Sequence, residues 1–123
     1  MIDHVSVAVR DLKRASAFYE AVLATLGYTR LDDRPATIGF GKKYSEFWIN
    51  LRAGITRETN PGNHIALRAK SKEGVDAFYA AALAHGGTSD GAPGPRGDES
   101  EGYYAAFIRD LDGNKIEAVT FLK

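Results

Sequence analysis

The sequence repeats itself at an offset of sixty residues, and this repeat constrains the fold more than any other feature. Residues 4–9 and residues 64–69 are both short apolar runs that begin with a histidine. The same offset relates residues 17–19 to residues 77–79, both of which read Ala-Phe-Tyr. Two copies of this length are too few and too long for a solenoid of stacked repeats. The pattern therefore predicts one domain that is built from two similar halves.

The length of the chain agrees with this interpretation. A chain of 123 residues is large enough to bury one hydrophobic core without disulfides or metals as staples. We therefore predict a single domain over residues 1–123, with its internal repeat over residues 1–54 and 62–123.

The charge balance excludes several classes of partner. Sixteen basic and sixteen acidic residues cancel, whereas a general nucleic-acid binder or an anionic-membrane binder needs a basic surplus. The chain has no cysteine, which fits a reducing cytosol. Neither a signal peptide nor a run of ~18 apolar residues for a membrane span is visible. We expect a cytoplasmic protein that contacts a small molecule and binds neither nucleic acid nor a membrane.

Hydrophobic periodicity predicts the main elements. Alternating valines in residues 2–9 indicate a half-buried strand. Apolar residues at helical spacing predict helices over residues 12–26 and about 72–85, and Asp11 and Ser71 suit their N-cap positions. Further strands are predicted over residues 28–32, 37–40, 46–51, 64–69, 103–109 and 115–121. By the repeat, each half is strand–helix–strand–strand–strand, which makes about eight strands in all, so the fold class is α+β with two βαβββ modules related by a pseudo-twofold axis.

Two glycine-rich segments lie outside these elements. Residues 88–102 contain four glycines and two prolines, so we predict a long loop of the kind that is usually mobile or functional. Residues 110–114, which read Asp-Leu-Asp-Gly-Asn, superficially suggest a calcium loop. They lack the rest of an EF-hand, and the Asp-Gly pair indicates a hairpin turn instead.

Strand parity brings four polar residues to one face. His4 and His64 occupy equivalent places in the repeat, and Asn50 and Glu117 each lie on the polar face of a strand at the end of their half. The segment Ile49-Asn50-Leu51 parallels Ile116-Glu117-Ala118, so the sequence predicts that all four side chains point into one concave space.

Three of these residues make a plausible metal site. A strand-opening histidine is ordinarily a surface residue, but the repeat favours a paired role for His4 and His64. Two imidazoles with the carboxylate of Glu117 suit Fe(II), Mn(II), Zn(II) or Ni(II) and leave positions open for a substrate or water. Asn50 is a weak fourth ligand, a hydrogen-bond partner of the substrate, or neither.

Other residues of the same face are candidates for substrate contact. Trp48 lies beside Asn50 by parity, and Arg52 and Arg68 have the parity needed to hold an anionic substrate. Arginines at strand ends are often simply solvated. Tyr104, which precedes the last hairpin turn, is a further candidate for contact with the substrate.

Residues 4–12, 63–67 and 107–117 resemble the vicinal oxygen chelate (VOC) superfamily. That superfamily includes glyoxalase I, extradiol dioxygenases, bleomycin and fosfomycin resistance proteins and methylmalonyl-CoA epimerase. The resemblance implies two βαβββ modules that close a cup-shaped mixed sheet, with the helices on the outer face. It also implies a homodimer, in which neighbouring chains can exchange modules.

The resemblance carries over to individual residues. His4, His64 and Glu117 match three ligand positions of the superfamily, and Asn50 falls where glyoxalase I-like members have a ligating glutamate. The remaining set of two histidines and one glutamate resembles the ligands of the extradiol dioxygenases.

Two functions of different classes follow. The first is a metal-dependent enzyme, either a glyoxalase-like lyase or isomerase, a dioxygenase or a thiol transferase, in which Glu117 also serves as general base. The second is a non-catalytic binding protein of the antibiotic-resistance type, which holds its ligand between Trp48, Tyr103, Tyr104 and residues 88–102.

Overall fold

The computed structural model describes residues 1–56, 62–97 and 102–122. The first module contains β1 (Val5–Val9), α1 (Leu12–Ala24), β2 (Thr29–Asp33), β3 (Thr37–Gly41) and β4 (Ser45–Leu51). The second module contains β5 (Ile65–Arg68), α2 (Lys72–Ala84), β6 (Thr88–Pro95), β7 (Tyr103–Arg109) and β8 (Lys115–Phe121).

The strands form two mixed sheets of four strands each. Their orders are β1-β4-β3-β2 and β5-β8-β7-β6. In each sheet the first strand of the module is parallel to the last, and the other pairs are antiparallel. The predicted α+β fold with two βαβββ modules is confirmed. Within the described ranges, no helix has the length and apolar character that crossing a membrane requires.

Each helix begins directly after the residue that was predicted as its N-cap. The side chain of Asp11 accepts a hydrogen bond of 3.0 Å from the backbone N–H of Arg14. The hydroxyl oxygen of Ser71 accepts a hydrogen bond of 3.2 Å from the backbone N–H of Gly74. Each cap satisfies an N–H group that has no partner inside the helix.

One hydrophobic core joins both modules. Its largest fully buried side chains include Tyr19, Phe18, Phe40, Phe47 and Phe78, and α1 contacts α2. Only one face of each sheet contributes to this core, so we call the opposite face the helix-free face. Helical spacing also predicts that Leu83 belongs to the buried stripe of α2. This is wrong, because Leu83 lies beyond the edge of that stripe and is exposed.

The glycine-rich segment that was predicted as a loop forms an eighth strand. Residues 88–95 are β6, which pairs with β7 despite register shifts at Gly91 and Gly94. The loop prediction for these residues is wrong because backbone pairing with β7 does not require an apolar alternation in β6. Residues 98–101 of the predicted loop, like residues 57–61 of the linker between the halves, lie outside the described residues.

The turn between β7 and β8 forms hydrogen bonds with the first module. Asp110, which is 2 % exposed, accepts hydrogen bonds from the Tyr19 hydroxyl at 2.5 Å and from the backbone N–H groups of Asp112 and Asn114. The Asn114 amide donates to the carbonyl of Ala8 at 3.0 Å. The predicted turn is confirmed. Burial raises the pKa of the Asp110 carboxyl above its usual range.

Candidate functional site

Glu117 is the centre of the candidate site. It lies on β8 with its side chain on the helix-free face, and yet that side chain is only 2 % exposed. Its Oε1 is 3.0 Å from Nε2 of His64, and its Oε2 accepts a hydrogen bond of 2.5 Å from the Tyr103 hydroxyl. Both oxygens of a buried carboxylate are therefore engaged, one by an imidazole and one by a phenol hydroxyl.

The hydroxyl of Tyr103 remains protonated at neutral pH. Burial raises the pKa of Tyr103 to about 12, and the hydrogen bond with Glu117 and the charge of Glu117 act in the same direction. The positive charge of Arg96 opposes this shift of the Tyr103 pKa. Tyr103 is thus a stable hydrogen-bond donor to Glu117.

His64 and Glu117 fit two adjacent positions around a divalent metal. Imidazole and carboxylate ligands lie ~2.1 Å from such an ion, so two neighbouring ligand atoms are roughly 3 Å apart. The 3.0 Å between Nε2 of His64 and Oε1 of Glu117 is a hydrogen-bond distance that is also compatible with octahedral ligand spacing. The donor types also suit the metals predicted from the sequence.

The third predicted ligand lies elsewhere. His4 precedes β1, its side chain is 51 % exposed, and its Nδ1 is 2.8 Å from the carboxylate of Asp3. Across residues 1–56, 62–97 and 102–122, no three His, Cys, Asp or Glu side chains are close enough to hold an ion together. One chain therefore brings together two of the three predicted ligands.

His4 and His64 do line one common groove. This groove has a volume of about 490 Å³ and runs beside β1 and β5. Two exposed apolar residues, Ile2 and Tyr44, also line it. The groove connects the first residues of β1 with the histidine that contacts Glu117.

The strand register corrects the predicted pairing of Asn50 with Glu117. Ser6 lies beside Trp48 in the first sheet, and Ala66 lies beside Glu117 in the second. Because Ser6 and Ala66 are sixty residues apart and equivalent in the repeat, Trp48 is the counterpart of Glu117. The sequence-based alignment was wrong by two residues, a shift that leaves the face of the strand unchanged.

Asn50 and Trp48 line a separate cavity on the first module. It has a volume of about 400 Å³, and His4 and Arg34 also contribute to it. The amide oxygen of Asn50 accepts a hydrogen bond of 2.5 Å from Thr37. The Arg34 guanidinium lies 5.1 Å from the centre of the Trp48 ring.

The remaining predicted residues are dispersed. The Arg68 guanidinium lies 5.1 Å from the centre of the Phe121 ring. Arg52 is exposed and donates to the carbonyl of its own neighbour Leu51. Tyr104 is on the helix-covered face, where its hydroxyl donates to Asp76 of α2 at 2.6 Å.

Sequence reasoning missed part of the surroundings of Glu117. Phe107 is directly opposite Glu117 in the β7–β8 ladder, and its ring meets that of His64 edge-on at 5.7 Å. The sequence predicts Tyr103 only as a ring that contacts a ligand, and it gives no role to Arg96. The signal was present, because the Asp-Gly turn fixes the register that places Tyr103 and Phe107 on the face of Glu117.

Comparison with known proteins decides the family. Residues 1–118 match the family model of the Glyoxalase/Bleomycin resistance protein/Dioxygenase superfamily. The chain belongs to this superfamily. A comparison with curated proteins finds no match.

Solved structures of the superfamily agree with this assignment. A glyoxalase/bleomycin resistance protein from Albidiferax ferrireducens T118 is 35% identical, with a TM-score of 0.84 over 95% of this chain and 96% of that one. A glyoxalase/bleomycin resistance protein/dioxygenase family enzyme from Burkholderia phytofirmans PsJN is 23% identical, with a TM-score of 0.74 and 98% of both chains covered. The fosfomycin resistance protein FosX from Listeria monocytogenes is 19% identical and shares the fold, with a TM-score of 0.72 over 97% of this chain and 91% of that one.

Proposed function

We propose that this member of the superfamily is an enzyme of the lyase or isomerase type, which transfers a proton on a small oxygenated substrate at Glu117. The observation that carries the proposal is the burial of Glu117 on a face that no helix covers. Burying a carboxylate is costly unless it is paired. His64 and Tyr103 supply that pairing, one on each carboxylate oxygen.

The neighbours of Glu117 support a role in proton transfer. Glu117 would accept the proton from a substrate atom next to an oxygen. Before an ion binds, His64, at 3.0 Å, would orient the carboxylate. Tyr103 would stabilise the ionised carboxylate and remain a donor throughout, because its pKa is raised to about 12. Tyr103 and Glu117 lie on the paired strands β7 and β8, and His64 immediately precedes β5, which pairs with β8.

A divalent ion would complete this site. His64 and Glu117 would hold it, together with His4 of the partner subunit in a homodimer. When bound, such an ion polarises a substrate oxygen and so eases removal of the neighbouring proton. The 3.0 Å spacing of the two ligand atoms supports this assignment, while the choice among Fe, Mn, Ni and Zn stays open.

The groove beside His4 supports the homodimer. Ile2 is 77% exposed and Tyr44 is 54% exposed, and both line the groove that His4 and His64 share. Apolar side chains of this size gain free energy when a second surface covers them. A second copy seated there would bring its own His4 toward this groove.

Elemental analysis tests the metal site. Protein that has been purified without chelator and then exposed to each of the four metals should retain about one equivalent per chain. His64→Ala and Glu117→Gln should lose the ion, whereas Glu73→Gln, an exposed carboxylate of α2, should keep it. Stoichiometric metal in folded His64→Ala protein would exclude the proposed ligands.

The cavity beside Trp48 favours a second candidate function, the binding of a small molecule without chemistry. Trp48 is the one tryptophan of the chain, and it lines the cavity of about 400 Å³ on the first module. Fluorescence quenching by a panel of small aromatic compounds measures such binding. Quenching that persists with chelator and in Glu117→Gln would favour the binding protein over the enzyme.

A further inference from the structure

The helix-free face of the second module carries a connected set of rings around Glu117. Phe121 lies 5.4 Å from the ring of Tyr103, which donates to Glu117. On the other side, the His64 ring contacts both Glu117 and Phe107. Glu117 is therefore flanked by aromatic rings on both sides, which are tilted or edge-on to one another and surround one proton-accepting centre.

Arg96 is held in place over one end of this surface. Its guanidinium lies 5.6 Å from the centre of the Phe107 ring and donates to the carbonyls of Ala92 at 2.7 Å and Pro95 at 3.2 Å. Gly91 supplies the room, because a Cβ atom there would come within 3.2 Å of the guanidinium. These contacts fix the position of the Arg96 guanidinium through backbone carbonyls.

Arg68 lies near the other end of this surface, where it contacts an aromatic ring. Its guanidinium stacks on Phe121, with 5.1 Å between the guanidinium carbon and the ring centre. In the described parts of the chain, neither Arg68 nor Arg96 is paired with a carboxylate. By contrast, Arg109 and Lys115 on the same module both pair with Asp90.

We infer that the substrate of the Glu117 site is a planar, conjugated carboxylate, whose anionic group Arg96 binds. A preorganised guanidinium binds a carboxylate through two parallel hydrogen bonds, and the Tyr103 ring beside Glu117 suits a flat ligand. Arg68 adds positive charge from the other end of the surface. The inference rests on the proposed function, because it names the substrate class of that same site.

Matched probes test the inference by isothermal titration calorimetry. Benzoate and benzamide have the same shape and differ in charge, phenyl phosphate presents a different anion, and acetate lacks the ring. We expect benzoate to bind at least about tenfold more tightly than benzamide and acetate, because one charge-assisted hydrogen bond contributes a free energy of that size. Phenyl phosphate that binds more tightly than benzoate would overturn the carboxylate assignment.

Two substitutions of Arg96 locate the anionic group. Arg96→Gln should weaken benzoate binding about tenfold and leave benzamide unchanged, and Arg96→Lys should fall between the two because it keeps only the charge. Arg14→Gln, an exposed arginine of α1, is the control and should leave benzoate binding unchanged. Circular dichroism confirms that each variant is folded. Equal losses for benzoate and benzamide in Arg96→Gln, or no loss for either, would overturn the inference.

These outcomes are separable from failure of the proposed function. Loss of Arg96-dependent discrimination in a protein that still binds metal through Glu117 would overturn the substrate class alone. Discrimination by Arg96 in a protein that takes up no metal would support the substrate class and leave the proposed metal centre contradicted.

Discussion

The partly exposed side chain of His64 contacts the buried side chain of Glu117. Oε1 of Glu117 lies 3.0 Å from Nε2 of His64, and the side chain of His64 is 36% exposed while that of Glu117 is 2% exposed. The imidazole therefore stands between a buried carboxylate and the open face of the sheet. A substrate or a metal ion that reaches Glu117 from this side must contact His64 first.

Ionisation of Tyr103 reports on Glu117. The folded state favours protonated Tyr103, so the stability that Tyr103 contributes is complete below the ordinary tyrosine pKa of ~10 and is lost as the pH rises through about 12. In Glu117→Gln the charge is gone, and we expect Tyr103 to ionise about one pH unit earlier. Carbon-13 NMR of labelled tyrosine measures this, with Tyr103→Phe to assign the signal.

Tyr104 supplies the internal control for that titration. Its pKa is also raised to about 12, but the main cause is its hydrogen bond with Asp76. The Tyr104 signal should therefore not move in Glu117→Gln. An unchanged Tyr103 signal in that variant would contradict the bond between Tyr103 and Glu117.

The repeat offers a matched pair for testing how the modules are fastened. Tyr19→Phe removes the hydroxyl that donates to buried Asp110, and we expect a loss of about 1–3 kcal/mol in the free energy of unfolding. Tyr79→Phe at the equivalent position should cost less than about 0.5 kcal/mol, since the Tyr79 hydroxyl has no hydrogen bond among the described residues. Urea denaturation measures both, and equal losses would mean that the Asp110 bond does not fasten the modules.

The tight hairpin next to Trp48 should not tolerate a side chain at Gly41. A methyl group there would overlap the carbonyl oxygen of Tyr44, so the backbone would have to move. We expect Gly41→Ala to lower the free energy of unfolding by about 2 kcal/mol or more. Gly54→Ala meets no atom within 4 Å and should be neutral. Denaturation followed by Trp48 fluorescence gives both values, and a neutral Gly41→Ala would refute the packing of this hairpin.

Most elements of the fold could be predicted from periodicity and capping. The helix after Asp11 and the hairpin over residues 103–121 appear where apolar spacing and the Asp-Gly turn place them. The strand over residues 88–95 could not be predicted in this way. This strand is held by backbone hydrogen bonds to β7. The glycines and prolines at its register shifts remove the side-chain pattern by which a strand is recognised in a sequence.

The sequence predicts which residues share a face of the sheet at the candidate site, but not which of them are in contact. Strand parity assigns a face but repeats every two residues, so it could not distinguish Asn50 from Trp48 as the counterpart of Glu117. The same parity placed His4 and His64 on one side without giving the distance between them. The bond between His64 and Glu117 depends on the parallel pairing of β5 with β8, which joins residues far apart in the sequence.

Complementation between two inactive variants tests the shared metal site most directly. In a dimer where His4 of one chain joins His64 and Glu117 of the other, His4→Ala and His64→Ala chains each bind no metal alone. Their heterodimer has one intact site, so co-expressed chains that pair at random should carry about a quarter of the wild-type metal content by elemental analysis. Wild-type protein without metal would contradict the metal site itself. Metal in the wild type with no recovery on co-expression would contradict the sharing of ligands between chains.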